Sequence, residues 1–257
     1  MAKKKSNMIY DHDEWLKPYK DVIDRRHKMI LDLKDRFSVE GSLSKGINNH
    51  VYYGLHHDEK GNWVFREFAP NANKIYLIGD FNNWKRSEVY ALKPIGGGNW
   101  EIVLPSMFLE HGALYKLFIE WPGGGAERLP AYVTRTVQDP VTKQFCAQVW
   151  DPQPYQWKNG KPGSRPHPLI YECHIGMAAE EEKVGTFEEF RLNVLPKVAD
   201  LGYDTIQIMA LQEHPYYGSF GYQVSNFFAL SSRFGTPEEF KALVDEAHGL
   251  GIAVVMD

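Results

Sequence analysis

Residues 169–257 alternate between short apolar runs and segments with helical periodicity, and this alternation limits the possible folds more than any other feature. The apolar runs, at 169–176, 204–211 and 252–256, have the length and composition of β-strands. A helix is predicted between each pair of runs. Strands joined by helices form parallel sheets with right-handed connections. The segment therefore predicts either a doubly wound sheet or the first part of a (β/α)8 TIM barrel, in the order β1-α1-β2-α2-β3.

Both predicted helices begin at a threonine that is followed three residues later by a glutamate. Thr186 with Glu189, and Thr236 with Glu239, have the spacing of a capping box, in which each side chain satisfies a free backbone amide. Pro196 lies inside the first helix and is expected to kink it, because proline removes one backbone hydrogen bond. These signals place the helix starts independently of the apolar pattern.

The predicted barrel is incomplete within these residues. A barrel of this type needs about 250 residues, and only residues 169–257 are available to it. The third apolar run leads directly into Asp257. We therefore expect the chain to be the front part of a longer protein, cut inside its catalytic domain.

Residues 41–150 have a different pattern, with short strand-like runs separated by turn residues. The runs are 50–55, 62–68, 74–79, 99–104 and 114–119, with turns at 58–61, 70–73, 96–98 and 123–125. This spacing predicts an all-β, immunoglobulin-like sandwich. Apolar residues at helical spacing over 19–37 predict a helix before it. The predicted organisation is a helical segment at 1–40, a sandwich at 41–150, a proline-rich linker at 151–168 and the barrel start at 169–257.

Composition excludes several classes of function. The net charge of −4 offers no electrostatic basis for binding nucleic acid. No apolar segment is long enough for a signal peptide or a membrane span. Cys146 and Cys173 do not have metal-ligand spacing, and the glycine runs lack the lysine and hydroxyl residues of a phosphate loop. We expect a cytoplasmic protein without a metal or cofactor.

Aromatic residues on turns are the candidates for ligand binding in the sandwich. Trp84 follows a predicted strand in the sequence Gly-Asp-Phe-Asn-Asn-Trp, where its ring is available to stack on a sugar and the neighbouring polar groups to bond hydroxyls. Trp100 is a second candidate, and packing in the core is the alternative for both rings.

In a barrel, active sites lie at the carboxyl ends of the strands. The second strand is followed by Glu213 and His214, and the third ends at Asp257. The loop after the second strand carries three aromatic residues that are suited to stack on a sugar: Tyr217, Phe220 and Tyr222. Glu172 and His174 alternate on the first strand, and a buried hydrogen-bonding role is expected for them.

A series of motifs resembles one family over nearly the whole chain. FREFAPN (65–71) and IGDFNNW (78–84) resemble the starch-binding-type sandwich at the N-terminus of glucan branching and debranching enzymes. IYECHIGM (170–177), IQIMALQEH (206–214), YGSFGYQV (217–224) and SRFGTPEE (232–239) resemble the start of an α-amylase-type barrel. In detail the series is similar to the 1,4-α-glucan (glycogen) branching enzymes.

The resemblance implies an enzyme that cleaves an α-1,4 linkage and transfers the oligoglucan to a 6-hydroxyl with retention at the anomeric carbon. Retention requires a carboxylate nucleophile and a carboxylic acid/base. In the family these lie on barrel strands four and five, so none lies within this chain, and the chain alone is expected to be inactive. Tyr222 would stack at the subsite of the reacting glucose, and Asp257 would match the aspartate that opens the family's first signature. The remaining implied glucan contacts are Trp84, Trp100, Phe68, Ala69 and Pro70.

Two alternatives remain at this stage. A debranching hydrolase has the same domain order, although the motifs ending at Met177 and His214 favour branching. A non-catalytic glucan-binding module of this length is the other. The predicted partner in each case is an α-1,4-glucan, and a monomer is expected.

Overall fold

The structure, a computed structural model, describes residues 8–257. These residues divide into two compact units, with the boundary between Asn49 and His50. The described part of the first unit begins with 3₁₀ turns at Ile9–Asp11 and Glu14–Tyr19. It continues with helix α1 (Lys20–Phe37) and the short helix α2 (Leu43–Gly46). The helix predicted over 19–37 is therefore present as α1.

The sandwich follows the short helix α3 (Asn49–Tyr52) and consists of two antiparallel sheets. Its strands are β1 (Gly54–His57), β2 (Trp63–Phe68), β3 (Lys74–Gly79), β4 (Lys93–Gly96), β5 (Asn99–Leu104), β6 (Leu114–Trp121), β7 (Gly124–Arg128), β8 (Thr136–Gln138) and β9 (Phe145–Gln148). One sheet has the order β1-β2-β5-β4 and the other β3-β6-β9-β8, with β7 paired to β6. Phe65, Leu77 and Leu117 are buried between the sheets.

Several strand boundaries differ from those predicted. Residues 50–52 are helical, so the run predicted as a strand over 50–55 starts only at Gly54. The glycine-rich turn predicted at 123–125 instead opens strand β7. Glycine and charged residues have low strand propensity, and β7 forms because it pairs with β6 from Trp121 back to Leu117.

The barrel segment contains the predicted parallel strands: β10 (Ile170–Cys173), β11 (Thr205–Ile208) and β14 (Ala253–Met256). They pair in chain order, as neighbouring strands of a barrel do. Helices cover one face, which buries Ile206 and Ile208. On the other face of the sheet, Ile170 and Val255 are exposed.

The helix starts are confirmed. Thr186 and Thr236 both form reciprocal capping boxes with the glutamates at 189 and 239. The first helix consists of α4 (Phe187–Glu189), a π-helical turn (Phe190–Val194) and α5 (Leu195–Asp200), and the second is α6 (Pro237–Gly249). The π turn ends two residues before Pro196, which lacks the amide hydrogen that a continuous α-helix requires. Between β11 and α6, β12 (Gln212–Glu213) and β13 (Asn226–Leu230) form an antiparallel pair that was predicted as loop.

Residues 151–168 contain no helix or strand, and they are held along α6. The buried carboxylate of Asp245 accepts hydrogen bonds from the backbone amides of Lys158 and Asn159 and from the Tyr155 hydroxyl. Burial acts to raise the pKa of Asp245, but these hydrogen bonds outweigh it and lower the pKa. The segment therefore joins the sandwich to the barrel as a fixed strap.

Within residues 8–257, no helix has the length and apolar character needed to cross a membrane.

Candidate functional site

Two residues predicted from the sequence meet at the carboxyl end of the parallel sheet. The Tyr222 hydroxyl donates a 2.8 Å hydrogen bond to Oδ2 of Asp257. Both side chains face solvent, and 58% of Tyr222 is exposed, so its ring is open to a ligand. The hydrogen bond to Asp257, with a smaller contribution from burial, raises the pKa of Tyr222. The phenol therefore stays protonated and orients the carboxylate.

The turn that carries Tyr222 packs tightly on the end of β11. Phe220 and Ala210 have φ angles of +53° and +40°, which are rare for residues with a side chain. A Cβ on Gly221, where φ is +92°, would lie 2.3 Å from the carbonyl oxygen of Ala210. Strained backbone of this kind often accompanies functional sites. Here these backbone conformations, with no Cβ on Gly221, allow the Tyr222 turn to lie close against the end of β11.

Glu172 on β10 and His174 directly after it differ from the prediction of buried hydrogen bonding. Glu172 is exposed and accepts a 3.4 Å hydrogen bond from the Gln207 amide. His174 is buried but its ring nitrogens have no partner among the described residues, and it contacts the rings of Tyr217, Phe220 and Phe234 edge-on. Burial lowers the pKa of His174, so it packs as a neutral ring beneath the aromatic turn.

Glu213 is fully buried and therefore is not a residue exposed to a ligand. Its carboxylate accepts hydrogen bonds from the hydroxyls of Thr136 (3.0 Å) and Ser231 (3.1 Å) and from the amide of Ser232 (2.8 Å). Arg233 lies 3.5 Å away and also bonds Gln138 of β8. Thr136 and Gln138 belong to the sandwich, so Glu213 joins the sandwich to the barrel segment.

His214, the neighbouring candidate, is also fully buried. Its Nδ1 lies 2.9 Å from the carbonyl oxygen of Gln212, and its own carbonyl accepts a hydrogen bond from Arg233. The structure thus places Glu213 and His214 in the support of the site and Tyr222 and Asp257 at its surface. Buried polar residues after a strand cannot be separated from exposed ones by sequence spacing alone.

In the sandwich, Trp84 lies beside an open groove of about 550 Å³. Trp84 and Asn83 both have left-handed backbone conformations, and the Trp84 indole donates a 3.0 Å hydrogen bond to Asp80. Its ring is 37% exposed. Lys116 and Glu127, which form an ion pair of 2.9 Å, also line the groove. The groove therefore combines an aromatic ring with polar groups, as sites for small polar ligands do.

Phe68, Ala69 and Pro70 form a separate surface. Phe68 is 53% exposed, and Gly98 packs beneath it so closely that a Cβ there would lie 2.8 Å from Pro70 Cβ. The prediction for Trp100 is corrected: its ring is 7% exposed in the sandwich core, and its indole donates a 3.0 Å hydrogen bond to the Ala69 carbonyl. Trp100 thus supports this surface from within and has no face to offer a ligand.

Sequence reasoning missed Trp121, which lines a small cleft of about 240 Å³ together with Ala69 and Pro70. The guanidinium of Arg128 lies 5.4 Å from the centre of the Trp121 ring. The signal was available in principle, because Trp121 lies between a predicted strand and a glycine run.

Comparison with known families gives two matches along the chain. Residues 52–141 match Carbohydrate-binding module 48 (Isoamylase N-terminal domain). Residues 191–257 match Alpha amylase, catalytic domain. The first match includes Trp84 and Phe68, and the second includes Tyr222 and Asp257.

Comparison with individual relatives indicates the family more specifically than the two domain matches do. The 1,4-alpha-glucan-branching enzyme of Yarrowia lipolytica is 41% identical over 256 residues, which are 95% of this chain and 37% of the relative. That of Dictyostelium discoideum is 40% identical over 260 residues, which are 98% of this chain and 38% of the relative. This chain belongs to the 1,4-α-glucan branching enzyme family. It spans between 37% and 38% of the length of these two branching enzymes.

Solved structures support the fold of this branching enzyme family member. A putative alpha amylase from Salmonella typhimurium matches with a TM-score of 0.67 and 26% identity, over 80% of this chain and 32% of that one. The catalytic module of the pneumococcal virulence factor SpuA matches with a TM-score of 0.65 and 23% identity, over 88% and 38% of the two chains. The fold class predicted from the sequence, a sandwich followed by the start of an α-amylase-type barrel, is confirmed.

Proposed function

We propose that the protein is a 1,4-α-glucan branching enzyme, which cleaves an α-1,4-glucan chain and transfers the oligoglucan to a 6-hydroxyl to form an α-1,6 branch. The observation that carries this proposal is the bond between Tyr222 and Asp257 at the carboxyl end of the parallel sheet. It places an exposed ring and a carboxylate at the edge where barrel enzymes bind their substrates. Family membership supplies the reaction class.

In this proposal the residues of this chain bind and orient the substrate. The Tyr222 ring covers the apolar face of the reacting glucose, and Asp257, oriented by the Tyr222 hydroxyl, accepts hydrogen bonds from sugar hydroxyls. The nucleophile and the acid/base belong to barrel strands four and five of the family, and these 257 residues do not include them. By themselves these residues should bind glucan but transfer nothing.

The sandwich would hold the rest of the polymer. The Trp84 groove and the Phe68–Pro70 surface each combine exposed aromatic or apolar atoms with polar neighbours. Glu213 and the strap at 151–168 fix the sandwich to the barrel segment. A glucan bound on the sandwich is thereby kept at a constant position relative to Tyr222. This raises the effective concentration of glucan at the barrel and so favours transfer.

The test uses the protein encoded by the complete reading frame, incubated with linear amylose. Proton NMR of the product should show α-1,6 anomeric signals that increase as α-1,4 signals decrease. An Asp257→Asn variant tests the role of the Asp257 carboxylate and should form far fewer branches. Shorter linear chains without α-1,6 signals would reject branching.

The second candidate is a debranching hydrolase, which the family resemblance kept open because its domain order is the same. It predicts release of linear chains from amylopectin and no branching of amylose, so the same NMR experiment on both substrates separates the two. We further propose that the protein works as a monomer in the cytoplasm. Light scattering after size exclusion, and cell fractionation, test these two points.

A further inference from the structure

A second cleft lies at the end of the sandwich, beside the Trp84 groove. Three 3₁₀ turns form it, at Asp80–Asn82, Glu88–Tyr90 and Ser106–Phe108. Its volume is about 540 Å³, similar to the 550 Å³ of the groove. Asp80 lines both spaces, so the turn Asp80–Asn82 separates the cleft from the groove.

The floor of the cleft is aromatic. The ring centre of Tyr90 lies 4.9 Å from that of Phe81 and 6.0 Å from that of Phe108, at interplanar angles of 33° and 54°. All three rings are half-buried and pack against the sandwich core, which holds them in place. Met107 stands at the rim with 80% of its surface exposed. An exposed methionine beside a fixed aromatic floor offers a surface for apolar ligand atoms.

The polar groups of the cleft suit a neutral ligand with many hydroxyls. Asp80 and Glu110 line it, and no lysine or arginine does. The Asp80 oxygens are held by the Trp84 indole and the Leu114 amide, and each carboxylate oxygen can accept a further hydrogen bond. Among residues 8–257 the Tyr90 hydroxyl makes no hydrogen bond, so it is free to bond a ligand. Two carboxylates without a cation disfavour phosphorylated or other anionic ligands.

We propose that this cleft is a second α-glucan subsite, in which a glucose unit lies on Tyr90 and its neighbouring rings while Asp80 and Glu110 accept hydrogen bonds from its hydroxyls. The turn Asp80–Asn82 presents Phe81 to the cleft and leads to Trp84 in the groove, so one glucan chain crossing this turn contacts both. The class of ligand rests on the proposed function, whereas the existence of a second subsite rests on the cleft.

Affinity electrophoresis in gels that contain amylopectin tests the proposal. Trp84→Ala and Tyr90→Ala should each weaken retention about threefold to tenfold, the cost of losing one aromatic contact, and the double variant should lose more than either. Val89→Ala is the matched control, because Val89 is 59% exposed in the same turn but does not line the cleft. Its retention should equal that of the wild type. Wild-type retention by a well-folded Tyr90→Ala variant would overturn the second subsite.

A second measurement does not depend on the folding of the Tyr90 variant. The protein is labelled at its methionine methyl groups, Met107 is assigned with Met107→Leu, and maltoheptaose is added to the Trp84→Ala protein. The Met107 methyl signal should shift with saturation, and no shift would overturn the proposal. Failure of the wild-type protein to bind amylopectin or maltoheptaose at all would instead count against the proposed function.

Discussion

Thr136 of the sandwich and Glu213 of the barrel segment are joined by a hydrogen bond of 3.0 Å, and both residues are almost inaccessible to solvent. Residues 77 positions apart in the sequence thus meet inside the molecule. The carboxylate has donors on both sides of the boundary, including Ser231 and the Ser232 amide. This buried network therefore fixes the sandwich to the barrel segment.

Replacing Glu213 by glutamine should lower the free energy of unfolding by about 2–4 kcal/mol, because the amide NH2 is a donor that would face the donors of this buried network. Thr136→Val should cost about 1–2 kcal/mol by leaving one carboxylate lone pair unsatisfied. In a double-mutant cycle followed by urea denaturation, the two effects should be less than additive. Thr134→Val, at an exposed position two residues away, is the control and should have little effect. Strict additivity would contradict the proposed coupling.

Tyr222 has two proposed roles that mutation can separate: its ring stacks on the glucose, and its hydroxyl orients the Asp257 carboxylate. Tyr222→Phe keeps the ring but loses the 2.8 Å hydrogen bond, and we expect kcat to fall about tenfold with little change in KM. Tyr222→Ala removes the ring as well and should also raise KM. Branching kinetics of the complete protein on amylose measure both parameters. Tyr216→Phe, an exposed tyrosine before the same turn, should match the wild type. Equal losses for the Phe and Ala variants would show that the ring does not contribute.

Gly221 allows the turn to approach Ala210, and this predicts a large effect of adding one methyl group. Gly221→Ala should destabilise the protein by more than Gly202→Ala, although both glycines have a positive φ. At Gly202 nothing lies within 4 Å of the added Cβ, whereas at Gly221 the Ala210 carbonyl oxygen lies 2.3 Å away. The Gly202 variant should lose about 1 kcal/mol from backbone strain alone. Thermal unfolding compares the two, and equal losses would show that the clash is relieved without cost.

His174 predicts a pH dependence of stability. Burial among aromatic rings lowers its pKa below the ordinary value of 6.5, so the unfolded chain binds a proton more readily than the folded one. The stabilising contribution is complete above pH 6.5 and is lost as the pH falls through the lowered pKa of the folded state. Urea denaturation at pH 8 and pH 5 should therefore show a smaller loss of stability for His174→Phe than for the wild type. His167→Gln, at an exposed histidine, should lose as much as the wild type.

Local sequence signals predicted much of this molecule because their interactions span only a few residues. The capping boxes at Thr186 and Thr236, the parallel strands around Ile206 and the turn that exposes Trp84 all depend on neighbours within one turn or on the alternation of apolar residues. The family motifs indicated the resemblance to branching enzymes, and this resemblance predicted Tyr222 and Asp257 as substrate-binding residues.

The tertiary structure decided which polar and aromatic candidates reach solvent. Glu213 and Trp100 are both buried, because their burial is set by partners distant in the sequence: Thr136 for Glu213, and the opposite sheet of the sandwich for Trp100. The strap around Asp245 and the pairing of β7 with β6 likewise join segments whose own residues favour loops. Such contacts between distant parts of the chain leave no local periodicity, so only the folded molecule reveals them.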